Sequence, residues 1–162
     1  MRSIGELAKK YDIEISIMER QPDMCCLFGD IDLRFPVSLE PARKYTEAHV
    51  SKIIAIYHGI IRNLMHVDDE NLDAFIFERD GPYIAKGAVK DGFHFMMLGV
   101  VCEKKTKELI HRLAQKEMAK QKVFDDTNAK NKNDIIDVSV ARNNWFMYGF
   151  NNLLFFFPPL FN

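Results

Sequence analysis

Cysteine is scarce in this 162-residue sequence: Cys25, Cys26 and Cys102 are all there is. Cys25 and Cys26 are neighbours, and a bridge between neighbours is strained. No CxxC pair and no Cys/His cluster has zinc spacing, so no zinc site is expected. The pattern excludes a disulfide-stapled secreted scaffold and fits reduced thiols in a cytosolic compartment. An excess of one charge is also missing, since 22 Lys and Arg stand against 23 Asp and Glu. That balance neither marks nor excludes a nucleic-acid binder, which needs basic patches and not a basic total. Long apolar runs are missing as well. The N-terminal MRSIGELAKKYDIE lacks the apolar stretch of a signal peptide, and no run is long enough to span a bilayer. The tail LLFFFPPLF is intensely apolar, but it is short and broken by Pro158 and Pro159. No membrane partner is expected, and the cytoplasm is the expected location. What remains, 48% hydrophobic and 28% charged residues, is a globular mixture of single-domain length. It can bury a core without staples.

Periodicity sets out an alternation of strands and helices. Residues 24–35, MCCLFGDIDLRF, read as a strand. Tyr45, His49, Ile53, Ile56, Ile60 and Leu64 then recur every three or four residues, one apolar stripe of a long helix. Ser38 and Pro41 suit its start. Residues 73–79 and 92–102 are further strands, separated by the turn chemistry of Asp80-Gly81-Pro82. Residues 104–122 read as a helix burying Leu109, Ile110 and Leu113, and 125–133 as a polar loop. Two short strands are expected at 134–140 and 144–148. The order implies an α+β domain, a mixed sheet with flanking helices, with no internal repeat and no interdomain linker.

Three stretches could carry chemistry. In Gly29-Asp30-Ile31-Asp32-Leu33-Arg34-Phe35, strand alternation puts Asp30, Asp32 and Arg34 on one face and the apolar residues on the other. Two carboxylates side by side repel, and a divalent cation with a taste for hard oxygen ligands removes the repulsion. Such pairs also occur in glycosyltransferases and phosphohydrolases, and an exposed strand face with scattered charges would look the same. The second stretch is Lys90-Asp91-Gly92-Phe93-His94-Phe95. His94 reads either as a hydrogen-bonded core residue or, with Lys86 and Lys90 just before it, as part of a phosphate site. The third runs from Asp134 to Gly149. Asp137 follows two Ile and needs a partner or a metal if buried. Arg142 is a candidate fork for carboxylate or phosphate. Trp145 and Phe146 read as core packing or as a platform for template bases.

Taken in order, these stretches resemble the archaeo-eukaryotic primase superfamily. Its three motifs are Asp-x-Asp on a strand, a small-x-His on a strand, and a later single Asp after apolar residues. They fall here on Asp30/Asp32, His94 and Asp137. DIDLRF, KDGFHF and IID…RNNWFMYG further resemble the N-terminal primase half of primase-helicases from nucleocytoplasmic large DNA viruses of the poxvirus and mimivirus type, over roughly residues 24–149. The resemblance implies an RRM-like catalytic core and a metal-dependent, template-directed nucleotidyl transferase acting in viral DNA replication. Asp30, Asp32 and Asp137 would hold two Mg2+ or Mn2+ ions. His94, Lys90, Arg142 and Arg34 would bind the incoming nucleoside triphosphate. Single-stranded DNA would be the template, and a superfamily 3 helicase the fused or associated partner.

The sequence departs from that pattern in two places. Gly92 stands where many relatives have Ser before x-His. After Gly149 the chain continues as FNNLLFFFPPLFN, an apolar block with neither strand nor helix period. The expectation is therefore a partial catalytic domain over residues 1–150, incomplete at its C-terminus, followed by an aberrant tail at 151–162. A truncated, inactive remnant that only binds nucleotide or nucleic acid shares every motif with the active enzyme. An unrelated Asp-x-Asp metal-dependent transferase would not require the His94 and Asp137 flanks.

Overall fold

In the computed structural model, residues 18–37, 42–78, 81–143 and 145–146 are described. Two long strands form the frame. The first, β2 (Met24–Phe35), follows a two-residue β1 (Met18–Glu19). Its antiparallel partner is β5 (Ala88–Glu103). On the far edge of β5 lie β3 (Phe75–Glu78) and β4 (Tyr83–Ala85), both antiparallel to it. The β4–β5 hairpin turns at Lys86 and Gly87, both with positive φ. The last strand, β6 (Trp145–Phe146), pairs with β1 in a small separate ladder.

The expected mixed sheet is corrected here, because every strand pairing among the described residues is antiparallel. The short turn joining β4 to β5 leaves room only for an antiparallel return, since parallel neighbours need a long crossover.

Helices α1 (Glu47–Leu64) and α2 (Lys104–Lys120) cover one face of the sheet. Alternation along β2 and β5 turns Ile31, Leu33, Phe35, Val89, Phe93 and Phe95 toward them, all essentially buried. Helix α1 begins later than Ser38 and Pro41 suggest, and those two residues lie outside the described set. Its N-cap is Thr46, whose backbone N–H donates to His49 Nδ1 at 3.1 Å. The acceptor role of Nδ1 leaves the proton on Nε2, which meets Asp126 Oδ1 at 2.9 Å. The buried stripe of α1 is His49, Ile53, Ile56, Tyr57 and Ile61, so it swings toward Tyr57 and leaves Leu64 exposed. Helix α2 corrects the sequence reading more sharply. It buries Lys107, Ile110, His111, Ala114 and Met118, while Leu109 is exposed. Two polar residues of α2 lie inside because each has buried partners. His111 Nδ1 meets Tyr57 Oη at 2.9 Å, and Lys107 Nζ reaches Gln21 and Cys25.

Residues 134–140 do not form the expected strand. They contribute a single bridge, Ile31 to Ile136, and a 3-10 turn at Val138–Ala141. No helix of the described residues is long and apolar enough to cross a membrane. The expected tail at 151–162 lies outside the described residues.

Candidate active site

The sheet face away from the helices carries the polar side chains. Asp30, Asp32 and Arg34 share it, as alternation requires. The β2–β5 register sets Asp30 opposite His94, Asp32 opposite Gly92, and Arg34 opposite Lys90. His94 Nε2 lies 3.0 Å from Asp30 Oδ1. Asp32 Oδ2 meets two cations, Lys90 Nζ and Arg34 Nη2, each at 3.2 Å. Asp30, Asp32, His94 and Lys90 are all part-buried, enough to be held and still reachable from solvent. His94 therefore faces a carboxylate rather than an aromatic core.

Two glycines make this register workable. A Cβ on Gly92 would stand 1.8 Å from the Ile31 carbonyl oxygen, and its φ is +152°, so the position opposite Asp32 carries no side chain. A Cβ on Gly29 would collide with the Phe95 ring at 2.0 Å. That ring packs edge-on against Tyr57 at 4.7 Å, beneath the site.

Asp137 arrives on the free edge of β2. Its backbone N–H donates to Asp30 O at 3.1 Å, and Asp32 N–H donates to Ile135 O at 2.8 Å. These bonds flank the Ile31–Ile136 bridge, so Asp137, Asp30 and His94 occupy successive positions across the sheet. The Asp137 carboxylate accepts from Ser139 N–H at 2.9 Å and caps the 3-10 turn.

Two residues that sequence reasoning missed hold this segment in place. Gln115 Oε1 accepts from both Ile135 and Ile136 N–H, at 3.1 and 2.9 Å. Asn131 splices the polar loop onto the β2 edge. Its Oδ1 accepts from Arg34 N–H at 2.9 Å, and its Nδ2 donates to Asp32 O at 2.7 Å. No sequence signal marks either role, because both join backbone groups distant in the chain.

The structure leaves other expected residues elsewhere. Arg142 forks onto Glu108 of α2, with Nε at 2.9 Å, and is not brought to the Asp30–His94 row. Arg142 and then Arg112 hold the Glu108 carboxyl down at about 2. Asp91 faces the helix side, where it accepts from Lys44 and Gly92 N–H. Burial pushes its carboxyl above the usual range.

Among the described residues no three His, Cys, Asp or Glu side chains close into a metal cage. The donor chemistry nonetheless suits a hard divalent cation. Asp30 and Asp32 are adjacent carboxylates on one open strand face, and Asp32 already draws two cations to one oxygen.

A family model described as "C962R protein N-terminal AEP domain" matches residues 4–152. The chain belongs to this AEP family. The match contains every motif position named above. A protein of Acanthamoeba polyphaga mimivirus named "Putative helicase L207/L206" is 24% identical over 123 residues, covering 74% of this chain and 13% of that protein. The AEP domain thus corresponds to a small part of that viral relative. Its α+β architecture, an antiparallel sheet with helices on one face, agrees with the family match.

Proposed function

We propose that this AEP domain is the nucleotidyl-transferring part of a viral primase that works with a helicase, joining nucleotides on a single-stranded DNA template. The observation that carries the reading is the row Asp137–Asp30–His94. Three chain segments with no local reason to meet are hydrogen-bonded into one line beside Asp32. A solvated strand face with scattered charges has no need of that convergence.

Asp30, Asp32 and Asp137 would hold two Mg2+ or Mn2+ ions. Bound there, such ions supply charge stabilisation to the attacked phosphate and the departing pyrophosphate. The chain's own side chains do the rest. His94, beside Asp30, is placed to hydrogen-bond a phosphate oxygen of the incoming nucleotide. Lys90 and Arg34 neutralise Asp32 here and are the cations nearest to serve a triphosphate. The catalytic contribution is positioning and electrostatics, with no covalent intermediate on the protein.

The ion pairs that already occupy Asp32 favour a second reading, a domain that binds nucleotide without turnover. Primer synthesis on single-stranded DNA, with labelled nucleotides and Mg2+ or Mn2+, separates the two. The first reading expects products that disappear on chelation. Nucleotide binding with no product from a folded chain supports the second.

A further inference from the structure

Another set of reactive side chains lies at the opposite end of the same two strands. The β2–β5 register makes Cys25 and Cys102 direct cross-strand partners. Such partners have Cα atoms about 4.5–5.5 Å apart and project to one face, which lies within the span of a disulfide. Cys26 opposes Val101 and alternation turns it to the other face. Cys25 is part-buried and Cys102 buried, both as free thiols.

The Cys25 sulfur has a cation against it. Lys107 is completely buried, and its Nζ donates to Cys25 Sγ at 2.6 Å and to Gln21 Oε1 at 3.2 Å. Gln21 is fixed in turn, its Nε2 donating to the carbonyls of Val140 and Asn143 at 3.0 and 2.8 Å. Among the described residues no carboxylate pairs with Lys107, so a sulfur and an amide oxygen are what offset its desolvation. A lysine beside a cysteine is one of the settings in which sulfur reacts as a nucleophile. Cys102 is buried, and burial raises its thiol, whereas Cys25 is partly open to solvent, which casts Cys25 as the sulfur a peroxide reaches first.

We propose that Cys25 and Cys102 are a peroxide-oxidisable dithiol, with Cys25 as the attacking sulfur and Cys102 as the resolving one. The Cys25 sulfur attacks the O–O bond of a hydroperoxide and becomes a sulfenic acid. The other peroxide oxygen leaves as water or alcohol, carrying the proton that Cys25 gives up. The Cys102 sulfur then displaces the sulfenic oxygen, which leaves as water with the Cys102 proton. Two thiols are oxidised to one disulfide, and one peroxide is reduced. The new bond lies just beyond the irregularity between Cys26 and Leu27, where residues 98–100 of β5 have no partner on β2. It would lock together the two strands that carry Asp30 and His94, at the end remote from them.

The test treats the folded, reduced full chain with hydrogen peroxide, alkylates it, and reads intact mass and tryptic peptides. The expected result is loss of two alkylatable thiols, restored by dithiothreitol, with peptide 21–34 linked to peptide 91–104. Cys26→Ser should behave as wild type, and Lys107→Met should slow the oxidation roughly tenfold. Should Lys107→Met not fold, Cys102→Ala serves instead and should accumulate a Cys25 sulfenic acid that dimedone traps. Three fully alkylatable thiols after treatment, a link through Cys26, dimers between chains in place of the internal bond, or no dimedone adduct would each overturn the proposal.

Discussion

At the residue scale, buried polar groups decide most of the behaviour. His111 is fully buried, and burial followed by the nearby Lys107 cation lowers it to about 4. The unfolded chain protonates this imidazole near its ordinary value of 6.5, while the folded chain resists until about 4. Stability is therefore unaffected above that upper value and falls as pH drops between the two. The loss expected from this one group is about 3 kcal/mol. Urea denaturation across that range should show the slope, and His111→Gln should flatten it. Gly92 is a different constraint. Gly92→Ala drives a methyl into the Ile31 carbonyl, and a destabilisation of at least ~2–3 kcal/mol is expected in chemical denaturation. The departure from small polar Ser at this position is thus a requirement of the β2–β5 register here. By contrast, Asp32→Asn removes two half-open ion pairs and should change stability by less than ~1 kcal/mol. That makes it a clean test of chemistry.

At the element scale, the segment carrying Asp137 has little secondary structure of its own. One side-chain acceptor, Gln115 Oε1, serves two of its amides. Gln115→Leu leaves both donors without that partner, at a cost of about 1–3 kcal/mol each. Hydrogen exchange should speed up at Ile135, Ile136 and Asp137 in that variant, while the α1 amides keep their protection. The same element shows why the sequence was only partly legible. Alternation in DIDLRF correctly assigned faces to Asp30 through Phe35, because strand period is local. The helical stripe of α2 was misread because burial of Lys107 and His111 depends on Gln21, Cys25 and Tyr57, which are far away in the chain. The strand expected at 134–140 shrank to one bridge because Asp137 turns to cap the 3-10 turn.

For the whole molecule, motif order singled out Asp30, Asp32, His94 and Asp137; the fold places Asp30, Asp32 and His94 on one sheet face and pairs the Asp137 backbone with Asp30 at its edge. It could not foresee that Arg142 would be committed to Glu108, since that depends on where α2 passes. The antiparallel character of the whole sheet was equally hidden, because nothing local fixes how β2 and β5 meet across the long stretch between them. The claim that joins all scales is that these four residues make one metal-dependent nucleotide site. Calorimetric titration of a nucleoside triphosphate into the folded chain, with and without Mn2+, tests it most directly. Binding should require the ion, be lost in Asp32→Asn, and weaken about tenfold or more in both Asp137→Asn and His94→Ala. Equal affinity without Mn2+, or an Asp137→Asn variant that binds like the wild type while remaining folded, would contradict the account.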